Sequence, residues 1–228
     1  MNTLRANDDR AKNAIIFICI TAVLNMIYLI FIIVDLDLYK RIADEGIYTM
    51  QEIENSDFRN ITFSVVYAIV YIGSAIVFIM WFRRAYYNLK HLGLRTTHSD
   101  GWVAGAWFVP ILNLFRPYQI MRELYETTDL YIRTRDENHK PNNLIFVGWW
   151  WALWILTGVF DRIVNKVIEK SDNAEDLILG ANMEIISNIL MIPLAICTIK
   201  VIKDYLKMEE SVKELHNAST DLINNVVA

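Results

Sequence analysis

Long apolar runs, each closed by charge, set the rhythm of this chain. Residues 13–34 and 61–82 are each 22 residues long, without one Asp, Glu, Lys or Arg. Residues 144–160 form a third uncharged run, heavy in tryptophan, and residues 177–199 a fourth whose only charge is Glu184. Twenty-two helical residues at about 1.5 Å each cover roughly 33 Å, the thickness of a bilayer's hydrocarbon core. The pattern predicts an all-α, polytopic membrane bundle with four full transmembrane helices. A fifth run, WVAGAWFVPILNLF at 102–115, has only 14 residues. That is short for a crossing and suits a broken, re-entrant or interfacial element. Pro110 withdraws the helical hydrogen bond to the carbonyl of Ala106, and Asn113 stands three residues on, placed to satisfy the freed backbone.

The charged intervals carry their own pattern. Residues 35–60 hold seven carboxylates (Asp35, Asp37, Asp44, Glu45, Glu52, Glu54, Asp57) with scattered apolar positions, which predicts a short surface helix or ordered loop. Asn60-Ile61-Thr62 matches a glycosylation sequon but abuts the apolar run, and chance is the simpler reading. Behind Pro117, Ile120, Met121, Leu124, Tyr125, Thr128, Tyr131 and Ile132 follow helical spacing, with Arg122, Glu123, Glu126, Asp129 and Arg133 on the other face. This predicts an amphipathic helix, lying in the interface or docked on the bundle. Pro141-Asn142-Asn143 predicts a turn. In the tail, Val201, Tyr205, Met208, Val212 and Leu215 are spaced 4-3-4-3, a helical pairing seam too short to be a coiled coil. The chain thus reads as one integral membrane domain, 1–200, followed by a helical tail, 201–228.

Lys and Arg decide between two topologies. If 102–115 is re-entrant, sixteen of the basic residues share a side with both termini and six lie opposite; if it crosses, the split is ten against twelve. The positive-inside rule favours the first, with both termini cytoplasmic. The first run is too long for a signal-peptide core and lacks a small-residue cleavage site, so it is expected to stay as an anchor.

Composition narrows the chemistry. A net charge of −4 offers no basic field for nucleic acid. Cys19 and Cys197 lie inside apolar runs and read as buried small hydrophobes, neither a disulfide framework nor a metal site. The four histidines fit no metal spacing, and no nucleophile-elbow, zinc-protease, phosphate-loop or dinucleotide fingerprint occurs. No catalytic residue, metal or cofactor is therefore expected, and His98-Ser99-Asp100 reads as a polar loop.

The centre of the chain has a long, specific pattern. Trp81, Arg83, Arg84, Ala85, Asn88, Leu89 and Gly93 are followed by Gly101, Trp102, Gly105, Trp107, Phe108, Pro110, Asn113, Leu114, Pro117, Met121 and Glu123. This pattern resembles the bacterial membrane proteins grouped as domain of unknown function 4328, over about residues 60–200. The resemblance implies a polytopic protein of the bacterial inner membrane and supplies no activity.

Two groups of residues stand out as candidates. Arg83, Arg84, Asn88, Trp102, Trp107, Pro110, Asn113, Arg116, Pro117, Arg122 and Glu123 surround the broken segment. They suit an anionic ligand or lipid headgroup near the helix start at Pro117, against the plainer reading of topological anchoring by the arginines. Arg122 and Glu123 could be aimed at Asn88 or Asn113. The second group is intramembrane: Glu184, with Asn188 one turn on, and Arg162 as counter-ion beside Asp161. A carboxylate at that depth is expensive and must face a cavity, a partner or a counter-ion; an ion pair tying two helices is the plainer reading. Trp81, Trp102, Trp107 and Trp149–Trp151 read as an interfacial belt. The leading expectation is a non-catalytic membrane module that binds lipid or a partner protein through residues 81–126. The alternative is a small transporter or channel using the Pro110/Asn113 break and Glu184. Partners expected are the bilayer itself, a headgroup or other anionic ligand, and a second copy of the chain in a homo-oligomer.

Overall fold

The computed structural model describes residues 4–171 and 173–227, with side chains as far as Ser219. Six α-helices follow in order: α1 (Asp8–Glu45), α2 (Met50–His91), α3 (Asp100–Gly105), α4 (Arg116–Arg133), α5 (Ile145–Glu169) and α6 (Ala174–Val227), with a 3-10 turn at Leu112–Leu114. No strand occurs among the described residues. Three helices are long and apolar enough to cross a membrane: α1, α2, and α6 over Ala174–Ser219. Their large side chains are bare on one side, as at Ile16, Val23, Ile30 and Ile33 on α1 and Ile61, Val65, Ile69 and Ile72 on α2. Such stripes suit hydrocarbon as the solvent. The fourth expected crossing lies on α5, 25 residues long. It is not among the three, because Trp149, Trp150, Trp151 and Trp154 lower its mean hydropathy and Asp161, Arg162 and Lys166 end the apolar stretch early.

The helices outrun their apolar cores. At 38 and 42 residues, α1 and α2 measure about 57 and 63 Å. The acidic stretch 35–60 is therefore not a loop or a short separate helix. It is the end of α1 and the start of α2, joined by residues 46–49, where Gly46 supplies a φ of 66°. Charged residues carry a helix on wherever its backbone already hydrogen-bonds itself, and only a turn residue stops it. Gly93 does the same at the end of α2: its φ is 74°, and Leu94 N–H reaches back to Leu89 O. α6 likewise runs past Pro193 and into the tail without a break.

The chain divides into two compact units. The first comprises Met1–Ile15, Ile76–Trp151 and Cys197–Ala228. Its core is aromatic: Trp81 lies 5.4 Å from Phe78 and 6.1 Å from Tyr205, and Trp107 lies 5.7 Å from Phe78. Trp81 and Trp150 are fully interior, so of the expected belt Trp102 and Trp149 are the exposed members. The amphipathic α4 buries every residue its spacing marked. It docks on α6, where Tyr125 Oη donates to Val201 O and the Tyr125 and Tyr205 rings lie 5.6 Å apart. The tail seam is thus occupied from within the chain, with Val201, Tyr205, Met208 and Val212 all buried.

The second unit comprises Ile16–Ala75 and Ala152–Ile196. Its helices approach closely where the sequence has glycine. A Cβ on Gly73 would sit 2.8 Å from Phe17 Cε1, and one on Gly180 would sit 2.9 Å from Ile168 Cγ1. α1 and α2 are also joined by buried Asp35, which accepts from Ser56, from Arg59 and from Asn60 Nδ2 at 2.7 Å.

Candidate functional site

In the first unit, α2 sets up the central stretch. Its inward face carries Trp81, Phe82, Ala85, Tyr86 and Leu89, leaving Arg83 exposed and Arg84 half-buried. Asn88 is buried and clamps three segments: its Nδ2 donates to Arg5 O at 2.9 Å and to Glu209 Oε1 at 2.8 Å, and its Oδ1 accepts from Arg5 N–H at 3.2 Å. Asn7 Nδ2 reaches the other oxygen of Glu209 at 3.2 Å. Glu209, 4% exposed, was not among the expected residues. Its position four residues beyond Tyr205, on the face of the tail seam, was the available signal.

Glu123 and Arg122 do not reach Asn88 or Asn113. Arg122 Nε pairs with Glu126 at 2.7 Å on the exposed face of α4. Glu123 points the other way, accepting from Tyr86 Oη at 2.7 Å and from the backbone N–H of Thr97, and contacting His98 Nδ1 at 2.9 Å. Burial alone would raise its carboxyl pKa, but the donors of Tyr86, His98 and Thr97 outweigh it and hold the group below its ordinary value. The carboxylate therefore ties the 94–99 loop to α2 and α4.

Between α3 and α4 the backbone is broken, as Pro110 and the short run foretold. α3 ends at Gly105, tight turns bring Trp107 and Phe108 N–H to Ala104 and Gly105 O, and Pro117 opens α4 in its first turn. Asn113 does not rescue the backbone with its side chain. Its own N–H bonds to Val109 O at 2.8 Å, and its buried Oδ1 has no hydrogen-bond partner among the described residues. The segment is held by Trp107, 6.4 Å from Trp150, and by Trp151 Nε1 donating to Leu114 O at 3.2 Å. Between those fixed points it presents Phe108 at 77% and Ile111 at 73% exposure, flanked by exposed Val109, Leu114, Phe115 and Trp102. Arg116 lies over the Trp102 and Phe115 rings at 5.9 and 6.0 Å, its buried Nε without a hydrogen-bond partner among the described residues.

The second unit contains a cavity of about 260 Å³. Glu184, Asp161 and Asn188 line it, as do the rings of Tyr28, Phe63 and Tyr67; neither Pro110 nor Asn113 does. Glu184 Oε1 accepts from Tyr28 Oη at 3.2 Å. Asn188 shares that face of α6, but its Nδ2 bonds to the backbone O of Glu184 at 2.9 Å. Ser187 donates to Asp161. The expected counter-ion is absent from this arrangement: Arg162 is exposed and makes no ion pair with Glu184. One residue along a helix is a turn of about 100°, and here Asp161 lines the cavity while Arg162 is exposed. Tyr28, the partner that does meet Glu184, lies 156 residues away in sequence, and no spacing rule could have paired them.

No curated protein and no solved structure matches the chain. A family model does, and it reaches further than the central pattern alone, into residues 45–59 and the first turns beyond residue 200. The model described as a domain of unknown function (DUF4328) covers residues 45–207, most of the chain, and the chain belongs to that family.

Proposed function

We propose that this is a non-catalytic integral membrane module that grips the bilayer interface, and the anionic headgroups there, through its broken central segment. One observation carries the reading. Six large apolar side chains from Trp102 to Phe115 are exposed, five of them on the chain beyond α3, beside Arg116, which forms no ion pair among the described residues. In water such a patch is a liability. In the interface each side chain regains its transfer energy, about 25 cal/mol per Å² of apolar surface removed from water.

The backbone argues for depth as well as for insertion. Irregular peptide groups facing lipid have no partners in the hydrocarbon core and are tolerated near the headgroups. That favours an interfacial or re-entrant element over a fifth crossing. With α5 as a fourth crossing, the Lys/Arg balance then favours cytoplasmic termini in a bacterial inner membrane. Arg116 would meet lipid phosphate while its stem and the two rings remain among acyl chains.

The test uses the full chain in nanodiscs, with Cys19 and Cys197 replaced by serine and a spin label at Ile111→Cys. The expected result is a shallow membrane depth, with oxygen colliding more readily than a water-soluble nickel chelate. The same preparation bearing Arg116→Gln should retain less phosphatidylglycerol by native mass spectrometry. Full access of the chelate to position 111 would overturn the proposal.

A further inference from the structure

We propose that the cavity of the second unit is a binding site for a small organic ammonium ion. Two independent features meet there. The first is uncompensated negative charge. Among the described residues neither Glu184 nor Asp161 forms an ion pair, and each carboxylate receives one neutral hydroxyl, from Tyr28 and Ser187 respectively. An ionised carboxylate can accept about four hydrogen bonds, so both have acceptor capacity left over. Glu184 also belongs to a helix apolar enough to cross a membrane, where an unpartnered charge is costly and marks a ligand path or a partner.

The second feature is the aromatic lining beside the charge. Tyr28, Phe63 and Tyr67 all line the cavity, with Phe63 stacked on Tyr28 at 5.4 Å and on Tyr67 at 6.4 Å, so a run of aromatic rings borders it. Ring faces attract cations through their quadrupole and are the recognised means of holding alkylated ammonium groups. A bare metal ion prefers a dense shell of oxygen or nitrogen ligands, and the described residues hold no cluster of three His, Cys, Asp or Glu. Carboxylates combined with aromatic rings instead match a ligand with charge at one end and methyl or methylene surface around it. At about 260 Å³ the cavity lies just under the usual range for drug-sized ligands, roughly 300–1,000 Å³. The occupant is therefore a small amine, not a large amphiphile.

Isothermal titration of the full chain in nanodiscs tests this, using tetramethylammonium chloride and 1,4-diaminobutane dihydrochloride as probes. Sodium and potassium chloride at matched ionic strength are the comparison. At least one ammonium probe should saturate, with an affinity about tenfold or more above that for potassium. Glu184→Gln should weaken it about tenfold and Phe63→Leu about threefold, the range expected for removing a charge partner and a cation–ring contact. Size-exclusion profiles identify variants that fail to fold, and if Glu184→Gln is among them, Glu184→Asp and Phe63→Leu decide the matter. The proposal is overturned if neither probe saturates, if sodium or potassium binds as well, or if folded Glu184→Gln and Phe63→Leu bind like the parent.

Discussion

Replacing Glu123 by glutamine tests whether one carboxylate pins the 94–99 loop. Glu123 is 14% exposed in its side chain and takes hydrogen bonds from Tyr86 Oη and the Thr97 amide, with His98 Nδ1 2.9 Å away. Hydrogen bonds to a charged acceptor are worth about 1.5–3 kcal/mol, against about 0.5–1.5 for neutral pairs. Glutamine keeps one acceptor oxygen and loses the charge, so two weakened contacts amount to about 2 kcal/mol. At about 2–4 °C per kcal/mol for a chain of this size, Tm should fall by roughly 4–8 °C at pH 7. The sign of the pH dependence follows from the depressed carboxyl pKa. Its contribution is fully present above the ordinary value of 4.5 and is lost as pH falls through the lower, folded value. The Tm gap between parent and Glu123→Gln should therefore be constant near neutrality and close below about pH 4.5. Circular dichroism melts in nanodiscs between pH 3.5 and 7 measure it, with a His98→Asn background leaving Glu123 as the titrating partner in that contact. A gap unchanged across the range would refute the assignment of the loop's anchorage to the ionised carboxylate.

Three further outcomes follow from packing and loop anchorage. Trp81→Ala empties the centre of the first unit's aromatic core; it should cost about 3–5 kcal/mol and strip much of the near-ultraviolet circular dichroism. Gly180→Ala should destabilise by about 1–3 kcal/mol, because the new methyl meets Ile168 Cγ1 next to its backbone. Gly73→Ala should be milder, since it meets only the swinging edge of the Phe17 ring, and thermal melts giving the reverse order would contradict this account of helix approach. Asp129 accepts from Arg133 Nε at 2.8 Å, from the Asn142 amide at 3.0 Å, and contacts His139 Nε2 at 3.0 Å. Asp129→Asn should therefore free the 134–144 loop, and trypsin should cut after Arg135 several-fold faster with helix content unchanged.

What the chain discloses about itself depends on whether the relevant physics is local. The short run at 102–115, the proline inside it and the 3.6 period behind Pro117 are all properties of neighbouring residues, and the break and the buried face of α4 follow from them. Helix ends were less legible, because charge was read as a boundary. Asp35 looked like the first residue of an acidic loop, yet it sits on continuing helix and gathers Ser56, Arg59 and Asn60. Tryptophan was ambiguous for a related reason: an indole is equally at home at a membrane surface and in a packed core. Tyr205, brought in from α6, is what packs on Trp81 and marks it as interior.

The same distinction explains why Glu184 could be singled out while its surroundings could not. Spacing shows that Glu184 and Asn188 share a face, and hydropathy shows that the carboxylate is misplaced unless something receives it. Those arguments demand a partner without naming one, and Arg162 was the nearest cation of suitable depth. The structure decides otherwise: Asp161 meets Ser187 and Arg162 is exposed. A charge left without its cation on these grounds differs from a structural ion pair in one testable respect. An ion pair loses stability when either member is neutralised, whereas a carboxylate held in reserve for a ligand gives a Glu184→Gln protein at least as stable as the parent when ligand is absent. A melt of ligand-free Glu184→Gln well below the parent would place the missing cation inside the protein after all.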